Sequence, residues 1–214
     1  MTRLISIIGP PAVGKTTLAR LLSERLAARL ICEDFEGNVF LADSYRGFGE
    51  ACLPAQLQFL LSRVAQLSQS ALRDDRVVVS DYGFCQDRIF AMEKLSADEY
   101  EVYRVVADRL GGLVIPPALV ICLDAPVDVL VERIARRGRG YESCMTPEFL
   151  ASMRDAYNGI ESAFNFFGVS GVSGVAGCGV LRVDTAMSDF RDESVFDKLF
   201  NRAMDELATV DDGV

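Results

Sequence analysis

The chain has 214 residues, half of them apolar, with 31 acidic against 22 basic side chains, no histidine and a net charge of −9. That length and apolar content suffice for one domain, residues 1–214, with a full core, and exclude a disordered chain. The acidic balance disfavours a nucleic-acid or membrane-surface footprint, no apolar run approaches the roughly 20 residues of a membrane span, and no signal peptide is expected ahead of Arg3, so a small-molecule ligand in the cytoplasm is expected.

Arg3 to Ile8 reads as a buried strand. It runs into Gly9-Pro10-Pro11-Ala12-Val13-Gly14-Lys15-Thr16-Thr17, which fits G-x-x-x-x-G-K-[ST]. In that pattern backbone N–H groups and a helix N-terminus cradle phosphate oxygens, the lysine neutralises them and Thr16 would hold Mg²⁺. Leu18, Leu21, Leu22, Leu26, Ala27 and Leu30 form the stripe of a helix packed on a sheet. Leu30 to Cys32 predicts a second strand, followed by the charged segment Glu33 to Glu36, a glycine at 37, helical material to Tyr45 and a break at Gly47-Phe48-Gly49.

Ala51 to Leu72 has the pattern of one long helix. On it Gln56 and Arg63 are seven apart, two turns, so both can face one pocket. Arg76 to Asp81 predicts a third strand, covered on both faces and ending in an acid. Helices are expected from Phe84 to Leu95, with Asp87 near its start, and from Ala97 to Leu110. Ala118 to Asp124 predicts a fourth strand ending in an acid. The helix Val127 to Arg137 becomes basic at its end, giving Arg133, Arg136, Arg137 and Arg139 around Gly138 and Gly140, a lid over about 136–146. Phe149 to Phe166 predicts another helix, Phe167 to Gly179 a mobile glycine-rich loop, Val180 to Asp184 a fifth strand and Ser194 to Leu207 a last helix before a frayed tail. The six cysteines contain no C-x-x-C pair and read as buried free thiols.

Strands separated by helices imply right-handed crossovers and a five-stranded parallel sheet flanked by helices, an α/β fold with its site where the strand ends converge. A phosphate loop names a ligand, a nucleotide, and leaves the reaction open. No Asn-Lys-x-Asp guanine reader follows a strand. A small-molecule kinase needs a hydroxyl acceptor pocket, a base and a basic lid, and Glu33, just after the second strand, stands where a carboxylate can take a hydroxyl proton.

From Met1 to about Tyr157 the chain resembles the deoxynucleoside kinase family. The carriers are Glu33 to Leu41, Gln56 to Arg63, and Arg133-Ile134-Ala135-Arg136-Arg137-Gly138-Arg139-Gly140-Tyr141-Glu142, in this order behind the phosphate loop. The resemblance implies a P-loop kinase fold, ATP and Mg²⁺ as donor and metal, Glu33 as general base for a 5′-hydroxyl, and Gln56 pairing with the nucleobase. It further implies Tyr45 and Glu142 at the 3′-hydroxyl, Lys15, Arg137 and Arg139 on phosphate oxygens, and Asp81 near the metal. Gln56, Arg63 and Asp87 together present an amide, a guanidinium and a carboxylate, which favours adenine, guanine or cytosine over thymine. Among Phe35, Phe40, Phe84 and Phe90, at most one is expected to stack on the base. Members of the family often form homodimers through helices beside the one after Cys52, and the apolar face there permits one.

One departure stands out. The family carries an acid followed by arginine at the end of strand three, whereas here Asp81-Tyr82-Gly83 follows, and Phe90-Ala91 arrives one residue early. Arg88 is the candidate substitute cation. Two other readings stay open: a nucleoside monophosphate kinase of the thymidylate kinase type, which needs cations for the acceptor's phosphate, and a nucleotide-binding regulatory subunit with weak catalysis, for which Tyr82 is the evidence.

Overall fold

A computed structural model describes residues 2–159 and 178–211. In chain order the described elements are β1 (Arg3–Ile8), α1 (Lys15–Leu26), β2 (Arg29–Ile31), α2 (Leu41–Tyr45), α3 (Cys52–Leu67), α4 (Gln69–Leu72), β3 (Val77–Ser80), α5 (Gln86–Lys94), α6 (Ala97–Gly111), β4 (Leu119–Asp124), α7 (Val127–Arg137), α8 (Pro147–Asn158), β5 (Gly179–Asp184) and α9 (Glu193–Asp211). The strands form one sheet in the order β2-β3-β1-β4-β5 with every pairing parallel. β1 lies between β3 and β4, so the crossovers diverge on either side of it and open a crevice at its carboxyl end, where the phosphate loop begins.

Alternation along the strands fills two cores. Ile5, Ile7, Val79, Ile121 and Leu123 face α1, where Leu18 and Leu22 meet them, and also face α9. Leu4 and Val78 face the other side with Leu67, Leu72 and Tyr82, while Ile8, Val120 and Cys122 pack there on Met153 and Tyr157. Both faces are apolar because both are covered, the signature of a parallel sheet.

The strands and most helices stand where the hydrophobic periods place them. The stripe of α1 runs on to Leu30, but Ala27 adopts φ 48 and ends the helix. Arg29 to Ile31 then pair with Val78 to Ser80, and Cys32 lies beyond the strand. The helix expected over Ala51 to Leu72 divides at Ser68, which is extended at ψ 153, bridges to Val114 and accepts from Ala71 N–H at 3.3 Å to cap α4. No glycine or proline marks that break. Thr146 accepts from Phe149 N–H at 3.2 Å and starts α8 earlier than Phe149. The continuation expected from 160 to 166, the glycine-rich loop up to 177 and the tail beyond 211 lie outside the described residues. All six cysteines are free; Cys52, Cys85 and Cys122 are buried as expected, whereas Cys144 is exposed.

Candidate active site

The phosphate loop is built by conformations that its residues make cheap or demand. Gly9 and Gly14 have φ of 144° and 108°, open to glycine and closed to most other residues. A Cβ on Gly9 would collide with the Leu123 carbonyl oxygen, so the loop also needs that residue's lack of bulk. α1 begins at Lys15 with no side-chain cap, which leaves its first N–H groups free to bind an anion. The Lys15 ammonium folds back over the loop, donating to the carbonyls of Gly9 at 2.8 Å and Pro10 at 3.0 Å. Burial lowers its pKa to about 8, against the opposing pull of Glu33 and Asp81. Incoming phosphate charge would restore the full ammonium preference.

Asp81, one residue past β3, ties the loop to β2. Its Oδ2 accepts from Thr16 Oγ1 at 2.6 Å and its Oδ1 from the Glu33 backbone N–H at 2.8 Å. The hydroxyl and carboxylate at the loop's mouth are hard oxygen donors of the kind Mg²⁺ takes. Among the described residues no three acidic, cysteine or histidine side chains cluster as a metal cage, so water and phosphate oxygens would complete such a coordination shell.

The Glu33 side chain turns toward α3 and α5. Its Oε1 accepts from Arg63 and, at 3.2 Å, from Gln86 Nε2. Arg63 also donates to Asp87 Oδ1. A carboxylate only accepts, so the bond to Glu33 fixes the Gln86 amide and turns its Oε1 away from Glu33. The oxygens Gln86 Oε1, Gln56 Oε1 and Asp87 Oδ2 are all buried without a partner.

The segment expected to form a lid follows Gly138, which at φ 67 ends α7 and donates to the Ile134 carbonyl, a left-handed cap. A short 3₁₀ turn, Gly140–Cys144, follows. Glu142 is buried and accepts from Arg137 Nε at 2.8 Å and from Arg139, whose guanidinium also lies 3.9 Å from the centre of the Phe35 ring. Tyr45 meets Tyr141 and Phe149 ring to ring at 5.8 and 6.4 Å. Burial raises its pKa and keeps its hydroxyl neutral. Tyr45, Arg137, Arg139, Tyr141 and Glu142 share with Lys15, Glu33 and Asp81 one cleft of about 910 Å³, at the upper end of ordinary ligand pockets and roomy enough for two substrates.

The deoxynucleoside kinase family profile matches residues 5–208. The chain belongs to that family. It is 31% identical over 156 residues to a deoxyguanosine kinase of Bacillus subtilis, covering 72% of this chain and 75% of that one. To a deoxyadenosine kinase of Lactobacillus acidophilus it is 27% identical over 169 residues, covering 73% and 75%. A deoxyadenosine kinase from M. mycoides solved with bound dATP superposes with a TM-score of 0.74 at 20% identity, over 92% of this chain and 98% of that one. That likeness establishes the P-loop kinase fold.

In this deoxynucleoside kinase the cleft brings together Lys15, Thr16, Thr17, Glu33, Tyr45, Gln56, Arg63, Asp81, Arg137, Arg139 and Glu142, residues that span the chain from α1 to the lid. Asp87 departs from expectation: it lies behind Arg63, 1% exposed, and does not line the cleft. Arg88 does not take the place of an arginine after Asp81, because it pairs with Asp108 on α6. The acid ending β4 also leaves the convergence, since Asp124 is held by both Nε and NH2 of Arg154 at 2.7 Å. Of the four basic-tail arginines, Arg133 is structural, donating to Thr185 Oγ1 and its carbonyl at 2.8 Å each. Arg136 pairs loosely with Glu132 at 3.9 Å.

Among the aromatics, Phe35 and Phe90 line the cleft, Phe84 packs in the core and Phe40 faces solvent. Sequence reading missed Phe59, Gln86 and Lys94. Phe59 and Gln86 line the cleft, and Lys94 sits 4.2 and 4.5 Å from the Tyr45 and Phe149 ring centres. Phe59 was legible in principle, one turn from both Gln56 and Arg63. Gln86 carried no signal beyond its place at the start of α5.

Proposed function

We propose that this kinase transfers the γ-phosphoryl group of ATP to the 5′-hydroxyl of a deoxynucleoside bearing an exocyclic amino group, deoxyadenosine, deoxyguanosine or deoxycytidine in preference to thymidine. The observation that carries it is the pair of buried, unpartnered acceptor oxygens on residues that line the cleft, Gln56 Oε1 and Gln86 Oε1. Unmet acceptors in a desolvated pocket favour a ligand that brings donors, and an amino group does. The relatives' names, deoxyguanosine kinase and deoxyadenosine kinase, agree with such bases.

In the reaction the 5′-oxygen attacks the γ-phosphorus, the bond from phosphorus to the β–γ bridging oxygen breaks, ADP departs, and the hydroxyl proton passes to Glu33. Lys15 and the N–H groups at the start of α1 hold the triphosphate. Thr16 and Asp81 are the residues that would hold Mg²⁺, which when bound neutralises phosphate charge. Arg137 and Arg139, parked on Glu142, exchange that carboxylate for phosphoryl oxygens, a role suited to a planar, always-charged guanidinium. Glu142, released from them, and Tyr45 then take the 3′-hydroxyl. The carboxylates of Glu33, Asp81 and Glu142 in the same cleft count against an acceptor that already carries phosphate.

The test is ADP formation with ATP and Mg²⁺ against deoxynucleosides and against their 5′-monophosphates. Turnover with the former and none with the latter is expected. Turnover with monophosphates alone establishes a nucleoside monophosphate kinase instead, and ATP binding without transfer to any acceptor establishes a binding subunit.

A further inference from the structure

β3 ends without a cation. Tyr82 follows Asp81, is fully buried and donates its hydroxyl to Gln66 Oε1, so that position sends no charged donor toward Glu33. A carboxylate that must take a proton at one point in space needs its rotamers fixed, because a misplacement of about 1 Å costs roughly a hundredfold in rate. α3 supplies what β3 lacks. The Arg63 guanidinium lies 5.2 Å from the centres of both the Phe59 and Tyr82 rings and is 3% exposed. One of its amino groups donates to Glu33 Oε1 and the other to Asp87 Oδ1.

The charge arithmetic favours this arrangement as a fixed one. Two carboxylates face one guanidinium, and burying a guanidinium is tolerable only when it is paired. Arg63 thus has both amino groups committed before any nucleoside arrives, and only its buried Nε lacks a partner. Gln86 adds a neutral second donor to the same oxygen, Glu33 Oε1. Both donors on one oxygen leave Oε2 as the oxygen available to a hydroxyl.

We infer that Arg63 and Gln86 are positioning residues for Glu33, and that the Tyr82 ring, by walling the guanidinium in, lets an arginine from α3 serve where β3 offers none. This rests on the reading of Glu33 as general base. It assigns Arg63 to orienting the base of the reaction more than to reading the base of the nucleoside, and it gives Gln86 a role that no motif marks.

A kinetic double-mutant cycle tests it, using the full chain and a deoxynucleoside that the parent phosphorylates. Gln86→Leu keeps every charge and near-equal volume, and Arg63→Lys keeps the charge but cannot span two carboxylates. Each is expected to lower kcat about tenfold or more while the KM for ATP stays within about twofold. In a Glu33→Gln background the same substitutions are expected to lower kcat no further, since the group they orient is gone. A change confined to the nucleoside KM, or a full additional loss in the Glu33→Gln background, overturns the inference. Should Arg63→Lys fail to fold, the Gln86→Leu and Glu33→Gln pair decides alone. A parent with no activity toward any deoxynucleoside overturns the reaction itself; an active parent with additive losses overturns only the positioning role.

Discussion

Glu33 is the residue on which the proposed chemistry turns. Its backbone is pinned by Asp81 and its side chain by Arg63 and Gln86, so Glu33→Gln preserves shape and removes only the proton acceptor. A fall in kcat of about a hundredfold or more is expected, with ATP affinity unchanged by direct titration, since a positioned general base is typically worth that much. Unchanged turnover would make Glu33 an ordinary loop acid. At this scale the sequence was legible where chemistry demands a fixed local spacing, as from Gly9 to Thr17. The place of Glu33 just past β2, at the carboxyl edge of the sheet, also put it in the cleft. It was not legible where partners come from afar: Arg63 meets Asp87 and Glu33 at 24 and 30 residues' separation, and only the packing of α3 against α5 brings them together. Spacing therefore puts Asp87 at the ligand, whereas it stands behind the arginine, and it offers Arg88 as a substitute cation, whereas Asp108 on α6 holds it.

Elements divide into those that serve the ligand and those that serve only the fold. The turn from β1 into α1 serves the ligand. Gly9→Ala forces a Cβ against the Leu123 carbonyl at a φ of 144°, so loss of ATP binding is expected together with a lower Tm, read by titration and thermal unfolding. The start of α6 is its counterpart. Ser96 accepts from Glu99 N–H and Glu99 returns a bond to Ser96 N–H at 2.9 Å. Ser96→Ala is expected to cost about 1 kcal/mol of stability with kcat unchanged, because the cap does not reach the cleft. The expected span Ala97 to Leu110 matches α6 almost to the residue. The hydrophobic period failed at Ser68, where the bridge to Val114 overrides a continuous helical pattern. At Ala27, pairing of β2 with β3 ends a helix whose apolar stripe runs on.

Across the whole molecule, the parallel order β2-β3-β1-β4-β5 puts the ends of β1, β2 and β3 at one crevice and lays the lid after α7 over it. The unbroken apolar strands foretold that architecture, since only a sheet covered on both faces reads as continuous apolar runs. Ligand binding to such a cleft stabilises the entire fold. ATP at a hundred times its Kd is expected to add about 2.7 kcal/mol to unfolding, visible as a raised Tm. Chelating divalent cations with EDTA is expected to diminish that rise, because the proposed metal would be held by Thr16 and Asp81. A Tm that ATP raises equally with and without the cation would remove Thr16 and Asp81 from that role.

The direct measurement is competition. The kinase, ATP and Mg²⁺ are incubated with equal amounts of deoxyadenosine, deoxyguanosine, deoxycytidine and thymidine, and the products are quantified by mass spectrometry. The unpartnered acceptor oxygens of Gln56 and Gln86 should yield 5′-monophosphates of the amino-bearing nucleosides, with thymidine left largely unreacted. A product mixture dominated by thymidine monophosphate, or four untouched nucleosides beside bound ATP, would contradict it.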